Sequence, residues 1–256
     1  MPTQIDTYTK REFIAPSATG DSIKHDVYEL GQGKVCVIIQ ELPGIGQETL
    51  SLADTFVERG YKVVLPHLFG PLGKTSVAGN LFRVFCMRKE FSVFAKNQTS
   101  PIVNWLKALC ANVKQENNVK GVAVIGMCLT GNFAITLMAE DAVLAGFSSQ
   151  PSMPFLTQDA LHMSDEEVIT IKAKLDEVGP MHCGRFKKDK LCTAQKFDLI
   201  RRKFNDEKER IILHELPGKG HSILTLDFVD EIGHPTKQAL DEVMTYFDSQ
   251  LDDIQS

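Results

Sequence analysis

Cys128 stands where a short apolar run gives way to a helical pattern. The segment VAVIG leads into Met127-Cys128-Leu129-Thr130-Gly131 and then into NFAITLMAE. Strand, tight turn and helix in that order make a nucleophile elbow, which holds a reactive side chain in strained backbone at the top of a sheet. Such a turn needs small neighbours, and Gly126 and Gly131 supply them; Thr130 occupies the place where the usual Gly-x-Ser-x-Gly pattern has its second glycine. A cysteine gains from this position. The unpaired N–H groups and the positive end of the following helix favour thiolate over thiol, and the thiolate is the nucleophile. The competing reading is a buried structural cysteine, since free Cys is among the most buried residue types.

A nucleophile of this kind needs a base and a group that orients the base. His221 follows the apolar run 210–214 (RIILH) and the polar turn Pro217-Gly218-Lys219-Gly220. Asp189 lies in the segment GRFKKDKL, which follows a weaker run at 178–183. Nucleophile, acid and base then occur in the chain order seen when all three sit on loops after the strands of one sheet. The acid would fix the imidazole tautomer and stabilise the imidazolium formed when the base takes a proton. The chemistry of such a set is acyl transfer through a thioester. A surface histidine and a solvated aspartate among lysines are the alternatives, and Asp198 is a rival acid. His25, His67, His162, His182, His214 and His234 lack a comparable strand-loop placement.

The elements that must carry these residues are readable as alternating patterns. Short β-branched runs at 34–40, 61–65, 119–125, 143–147, 178–183 and 210–214 are separated by longer helical patterns. That alternation predicts a mostly parallel sheet covered by helices on both faces. Ser164 followed by Glu167 forms a capping box, and Pro235 suits the first turn of a last helix. A long helical region is expected over 81–113, interrupted near Ser100 and Pro101. Residues 121–139 carry no charged side chain over roughly the length of a membrane span, but Gly126, Thr130, Gly131 and Asn132 break the stretch into a strand and a helix. One domain over 1–256 accounts for the pattern.

Composition narrows the function classes. The chain is 43% hydrophobic and 24% charged with a net charge of -5, and both signs are mixed along it. No basic field exists to hold phosphate backbones, which argues against nucleic acid as a partner. Residues 1–10 lack the charged start and apolar middle of a secretory signal, so a cytoplasmic location is expected, and the six cysteines read as reduced thiols. No metal and no cofactor are expected. His182 and Cys183 would point to opposite faces of a strand, and the glycine pairs Gly31/Gly33 and Gly44/Gly46 lack phosphate-loop spacing.

With these residues in place, the chain resembles the dienelactone hydrolase family, the cysteine-using branch of the α/β-hydrolases, whose elbow typically reads Gly-x-Cys-x-Gly-Gly. Gln40-Glu41 after the first apolar run resembles the family's Gln-Glu pair, and Gly220-His221-Ser222 its Gly-His-Ser. The resemblance implies the α/β-hydrolase fold and a small-molecule ester or lactone as substrate; no membrane partner is expected, and a monomer or homodimer is. It implies that Glu41 sits near the cysteine and helps to switch it from thiol to thiolate. The backbone N–H groups of Leu42 and Leu129 would form the oxyanion hole. Family members that act on dienelactone hold its carboxylate with arginines. The position four residues after the histidine is here Thr225, and Arg88, with Arg83 and Lys89 as rivals, would be the other basic group. Thr130 and Thr225 keep open a catalytically weak ligand-binding protein, and a low-pKa cysteine keeps open a thiol redox sensor.

Overall fold

The computed structural model describes residues 3–16, 21–75, 101–154 and 157–252. In chain order it runs β1 (Thr9–Pro16), β2 (Ser22–Leu30), β3 (Lys34–Ile39), α1 (Gln47–Glu58), β4 (Tyr61–His67), α2 (Pro101–Glu116), β5 (Val122–Met127), α3 (Gly131–Leu137), β6 (Val143–Ser149), α4 (Asp165–Val178), β7 (Met181–Phe186), α5 (Ala194–Phe204), β8 (Ile211–Leu216) and α6 (Pro235–Asp252). These strands form one eight-stranded sheet in the order β1-β2-β4-β3-β5-β6-β7-β8. From β4 to β8 neighbouring strands are parallel, and β2 runs antiparallel to both β1 and β4. This is the expected α/β-hydrolase architecture.

Side-chain alternation along the central strands explains why helices cover both faces. Val35, Val37 and Ile39 of β3 join Val122 and Val124 of β5 in a core with Trp105 of α2, Phe133 of α3, Ile171 of α4 and Phe197 of α5. Cys36 and Ile38 of β3 and Ala123, Ile125 and Met127 of β5 turn the other way, onto Phe56 of α1 and Leu240, Val243 and Phe247 of α6. A strand apolar on both faces has no solvated side, so its sequence reads as a continuous run.

Several expected boundaries shift. The run placed at 178–183 becomes a strand only from Met181. Val178 ends α4, and Gly179, at φ +99°, turns the chain while its N–H bonds the carbonyl of Leu175. The run placed at 119–125 starts at Val122, after Asn118 reverses the chain at φ 50°. The pair β1 and β2 has no counterpart among the expected strands. Most of β1 is exposed and β2 is only partly buried, and charge pairs such as Lys10–Asp26 and Arg11–Glu29, both 2.7 Å, hold them together, so their apolar signal is faint. Charged side chains of this kind protect a sheet edge from pairing with other chains. The helical region expected over 81–113 is described from Pro101 on; Arg83, Arg88, Lys89 and the phenylalanines at 82, 85, 91 and 94 lie outside the described residues. The capping box at Ser164 is present, with Glu167 N–H donating to Ser164 Oγ at 3.1 Å and Ser164 N–H to Glu167 at 2.8 Å. Among the described residues no helix is long and apolar enough to cross a membrane.

Candidate active site

Cys128 opens a single 3-10 turn between β5 and α3 and has φ 55°, a left-handed conformation that costs a non-glycine residue on the order of 1–3 kcal/mol. The surrounding contacts impose it. A Cβ on Gly126 would lie 2.3 Å from the carbonyl oxygen of Thr130, and one on Gly131 would lie 2.8 Å from Pro151 Cα, so both positions require glycine. Thr130, the departure from the usual elbow, does not disturb the turn. Its buried hydroxyl accepts the Met127 N–H at 2.9 Å and lies 3.0 Å from Met127 O and 3.2 Å from Gln40 O. The threonine therefore ties the elbow to the end of β3.

Asp189 and His221 come together on loops at the carboxyl ends of β7 and β8, where open α/β sheets place their ligands. His221 Nδ1 donates to Asp189 Oδ2 at 2.7 Å. The other carboxylate oxygen, Oδ1, accepts the N–H groups of Leu191 at 2.8 Å and Cys192 at 3.1 Å, so the carboxylate cannot rotate freely. The histidine loop is anchored in turn by Asp227, whose Oδ2 accepts the N–H groups of His221 at 2.7 Å and Ser222 at 2.9 Å. A Cβ on Gly220 would fall 2.7 Å from the Asp227 carboxyl carbon, which accounts for the glycine before the histidine. Asp198, the rival acid, is exposed on α5 and pairs with Arg201 at 2.6 Å.

Electrostatics favour the imidazolium. Burial of the His221 ring works against its charged form, but the hydrogen bond to Asp189 and the neighbouring Cys128 side chain more than offset this and push its pKa up to about 10. Ser152 Oγ lies 3.6 Å from the Cys128 sulfur and 3.4 Å from His221 Nε2.

Glu41, at the end of β3, is only 1% exposed. Its hydrogen bonds go not to the cysteine but to Ser222 Oγ at 2.9 Å, Gln150 Nε2 at 3.3 Å and the Thr225 hydroxyl. Thr225, which stands where the family motif has an arginine, thus holds a buried carboxylate. Burial raises the Glu41 carboxyl above its usual range, partly countered by the Thr225 and Ser222 hydroxyls. For an acid whose folded pKa is raised, the associated stability is present below the unfolded value and is lost as pH rises. Glu41→Gln keeps hydrogen-bonding groups toward all three partners and removes the buried charge. It is therefore expected to raise stability at pH 8 by on the order of 1 kcal/mol and to have little effect at pH 4, as read by urea denaturation at each pH. Destabilisation at pH 8 would show that the ionised carboxylate is needed by the fold.

Gln40 is structural. Its side-chain amide donates to Phe69 O and its Oε1 accepts the Leu68 N–H, both at 2.9 Å, which fixes the chain after β4. Leu129 is the second residue of the turn that opens at Cys128, so its N–H belongs to the helix-start groups without an intrahelical acceptor. The remaining described cysteines, Cys36, Cys110, Cys183 and Cys192, are free and buried, and burial pushes the thiols of Cys110 and Cys183 up to about 12. Among the described residues no group of three or more His, Cys, Asp or Glu side chains is arranged to hold a metal. Ser152, Gln150 and Asp227 were not singled out from the sequence. The segment SSQPSMP has no periodicity to mark it, although Asp227 does follow the Gly-His-Ser triplet closely.

The fold is shared with known hydrolases at low sequence identity. A Klebsiella pneumoniae protein assigned as a dienelactone hydrolase superposes with a TM-score of 0.59 at 11% identity, over 93% of this chain and 98% of that one. An esterase from Pyrococcus furiosus gives 0.61 at 12% identity, over 96% and 94%. The acylaminoacyl peptidase of Pyrococcus horikoshii gives 0.59 at 15% identity, over 96% of this chain and 42% of that one. At such identities these likenesses establish the fold and not the bond cleaved. No curated protein sequence matches the chain. The family model for the dienelactone hydrolase family does match, over residues 24–250. With Cys128 on its elbow and the Asp189–His221 pair at the same sheet edge, the chain belongs to the dienelactone hydrolase family and is an ester hydrolase of the α/β-hydrolase fold.

Proposed function

We propose that the protein hydrolyses small activated esters or lactones through a Cys128–His221–Asp189 triad and an acyl-thioester intermediate. The observation that carries this reading is the hydrogen-bonded line from Asp189 through His221 to the neighbourhood of the Cys128 sulfur, at the strand ends. His221 takes the thiol proton and the Cys128 thiolate attacks the ester carbonyl. The negative charge formed on the carbonyl oxygen is assigned to the N–H groups of Leu129 and Leu42, of the kind whose loss costs about a hundred- to thousandfold in rate. The intermediate collapses as the imidazolium gives its proton to the departing alkoxide. Water, deprotonated by His221, then cleaves the thioester and returns the thiolate. Small esters and lactones fit better than peptides, because a thiolate nucleophile gains most with a good leaving group.

Glu41 belongs to this site through the base and not through a bond to the sulfur. It holds Ser222, the residue after His221, and Thr225 on the same loop. Thr130 and Thr225, on which a non-catalytic reading would rest, each fill a defined hydrogen-bonding role.

The test is acid-quench mass spectrometry after brief mixing with 4-nitrophenyl acetate. An acetyl group on the Cys128 peptide that is released by neutral hydroxylamine is expected. An acetyl group on Ser152 or another residue instead, or turnover with no covalent adduct, would overturn the thioester route.

A further inference from the structure

The segment after β6 lies directly against the elbow. Gln150 has φ 37°, a second left-handed non-glycine residue beside the site. Three contacts hold it there: its N–H bonds Gly184 O at 2.7 Å, its side-chain amide bonds Glu41 at 3.3 Å, and its Oε1 accepts the Ile223 N–H at 3.4 Å. The backbone of Pro151 then lies against Gly131, where a Cβ would collide with it. Next comes Ser152, fully buried, whose N–H donates to the carbonyl oxygen of Cys128 itself at 3.0 Å. Strained backbone that is fixed on several sides marks a position whose geometry is used.

The hydroxyl that this geometry delivers has one proton and three acceptors in reach. Gln150 O lies at 3.0 Å, the Cys128 sulfur at 3.6 Å and His221 Nε2 at 3.4 Å. While the cysteine is a neutral thiol, the nearer carbonyl takes the proton. Once the thiol proton has passed to His221, the sulfur is an anion and a charge-assisted hydrogen bond outcompetes a neutral one. The Nε2–H of the imidazolium can meanwhile donate to the same oxygen, 3.4 Å away.

We infer that Ser152 is a further catalytic residue of the reaction proposed above: its hydroxyl swings from Gln150 O to the Cys128 sulfur and stabilises the thiolate, both before attack and when the thiolate leaves in deacylation. No bond to Ser152 forms or breaks, and the thiol proton resides on His221. The inference rests on the reading of Cys128 as nucleophile, and the experiment separates the two.

The measurement is the rate of iodoacetamide labelling of Cys128 across pH, read by mass spectrometry of its peptide in wild type, Ser152→Ala and Ser152→Thr. A lost hydrogen bond to a charged group is expected to slow labelling of the alanine variant at pH 6 by about tenfold or more, with the labelling curve displaced to higher pH. The threonine variant, which keeps a hydroxyl, should follow wild type. Labelling curves for Ser152→Ala that coincide with wild type would overturn the inference, and so would equal displacement in the alanine and threonine variants, which would reflect packing. Ester turnover by Cys128→Ala tests the proposed function alone: its persistence would remove the thioester route while leaving the labelling result to decide whether the serine stabilises the thiolate.

Discussion

Cys128→Ala is expected to lower kcat for a small aryl ester by more than about 10⁴-fold, the scale on which removing a nucleophile acts in hydrolytic triads, and adding His221→Ala should lower it little further. In the proposed mechanism the two residues act as one unit: the base has no proton to take without the thiol, and the thiol has no acceptor without the base. Losses that multiplied would mean independent roles. Alanine is the right replacement because Cys128 has φ 55° and is 3% exposed, so its small side chain already fits a backbone held by Gly126 and Gly131. The variant should unfold at the same temperature as wild type or above it, since alanine removes the sulfur without adding a group to the turn. Binding should survive, because the proposed oxyanion donors are backbone N–H groups that the substitution leaves in place. Steady-state kinetics on a panel of 4-nitrophenyl esters and lactones, with thermal unfolding in parallel, makes the check. Retention of more than about a tenth of the activity in Cys128→Ala, with the fold intact, would sink the assignment of the nucleophile.

Why these three residues were legible and their supports were not has a physical explanation. Cys128 follows β5, an apolar strand buried on both sheet faces that announces itself from local sequence alone, whereas Asp189 and His221 follow β7 and β8, whose signal is weaker because polar and partly exposed residues interrupt it. Their chain order did the rest. Ser152 and Gln150 are placed by contacts with distant residues: the carbonyl of Cys128, the carbonyl of Gly184 and the carboxylate of Glu41. No pattern within SSQPSMP encodes those partners. Thr225 shows the same limit in another form. Against the family motif it is a missing arginine, whereas in the fold its hydroxyl bonds the Glu41 carboxylate. The edge strand β1 and its neighbour β2 give little signal because charge pairs and not apolar alternation hold much of their surface.

Asp189→Asn carries the second large expectation, a fall in kcat of about 10⁴-fold, as seen when the acid of a triad is replaced by its amide. Here the surroundings dictate how the amide must sit. The N–H groups of Leu191 and Cys192 both donate to Oδ1, so the asparagine oxygen stays with them and its NH2 group takes the place of Oδ2. That group is a donor, and it faces His221 Nδ1 across 2.7 Å. The ring can accept from it only by carrying its own proton on Nε2, the nitrogen that must be free to take the proton of Cys128. The base is thus held in the wrong tautomer while the loop geometry is preserved. The same change should alter stability with a definite sign. Asp189 helps to raise the His221 pKa from 6.5 to about 10, so the stability it lends is fully present below pH 6.5 and disappears as pH rises through about 10. Denaturation of Asp189→Asn should therefore show its largest deficit at pH 6 and converge with wild type near pH 10. Asp198→Asn, which removes only an exposed pairing with Arg201, serves as the control and should leave both turnover and the pH profile unchanged. A deficit in Asp189→Asn that was flat across pH would mean that the carboxylate supports the loop and not the charge of the imidazole, and near-wild-type turnover in that variant would return the role of acid to another residue.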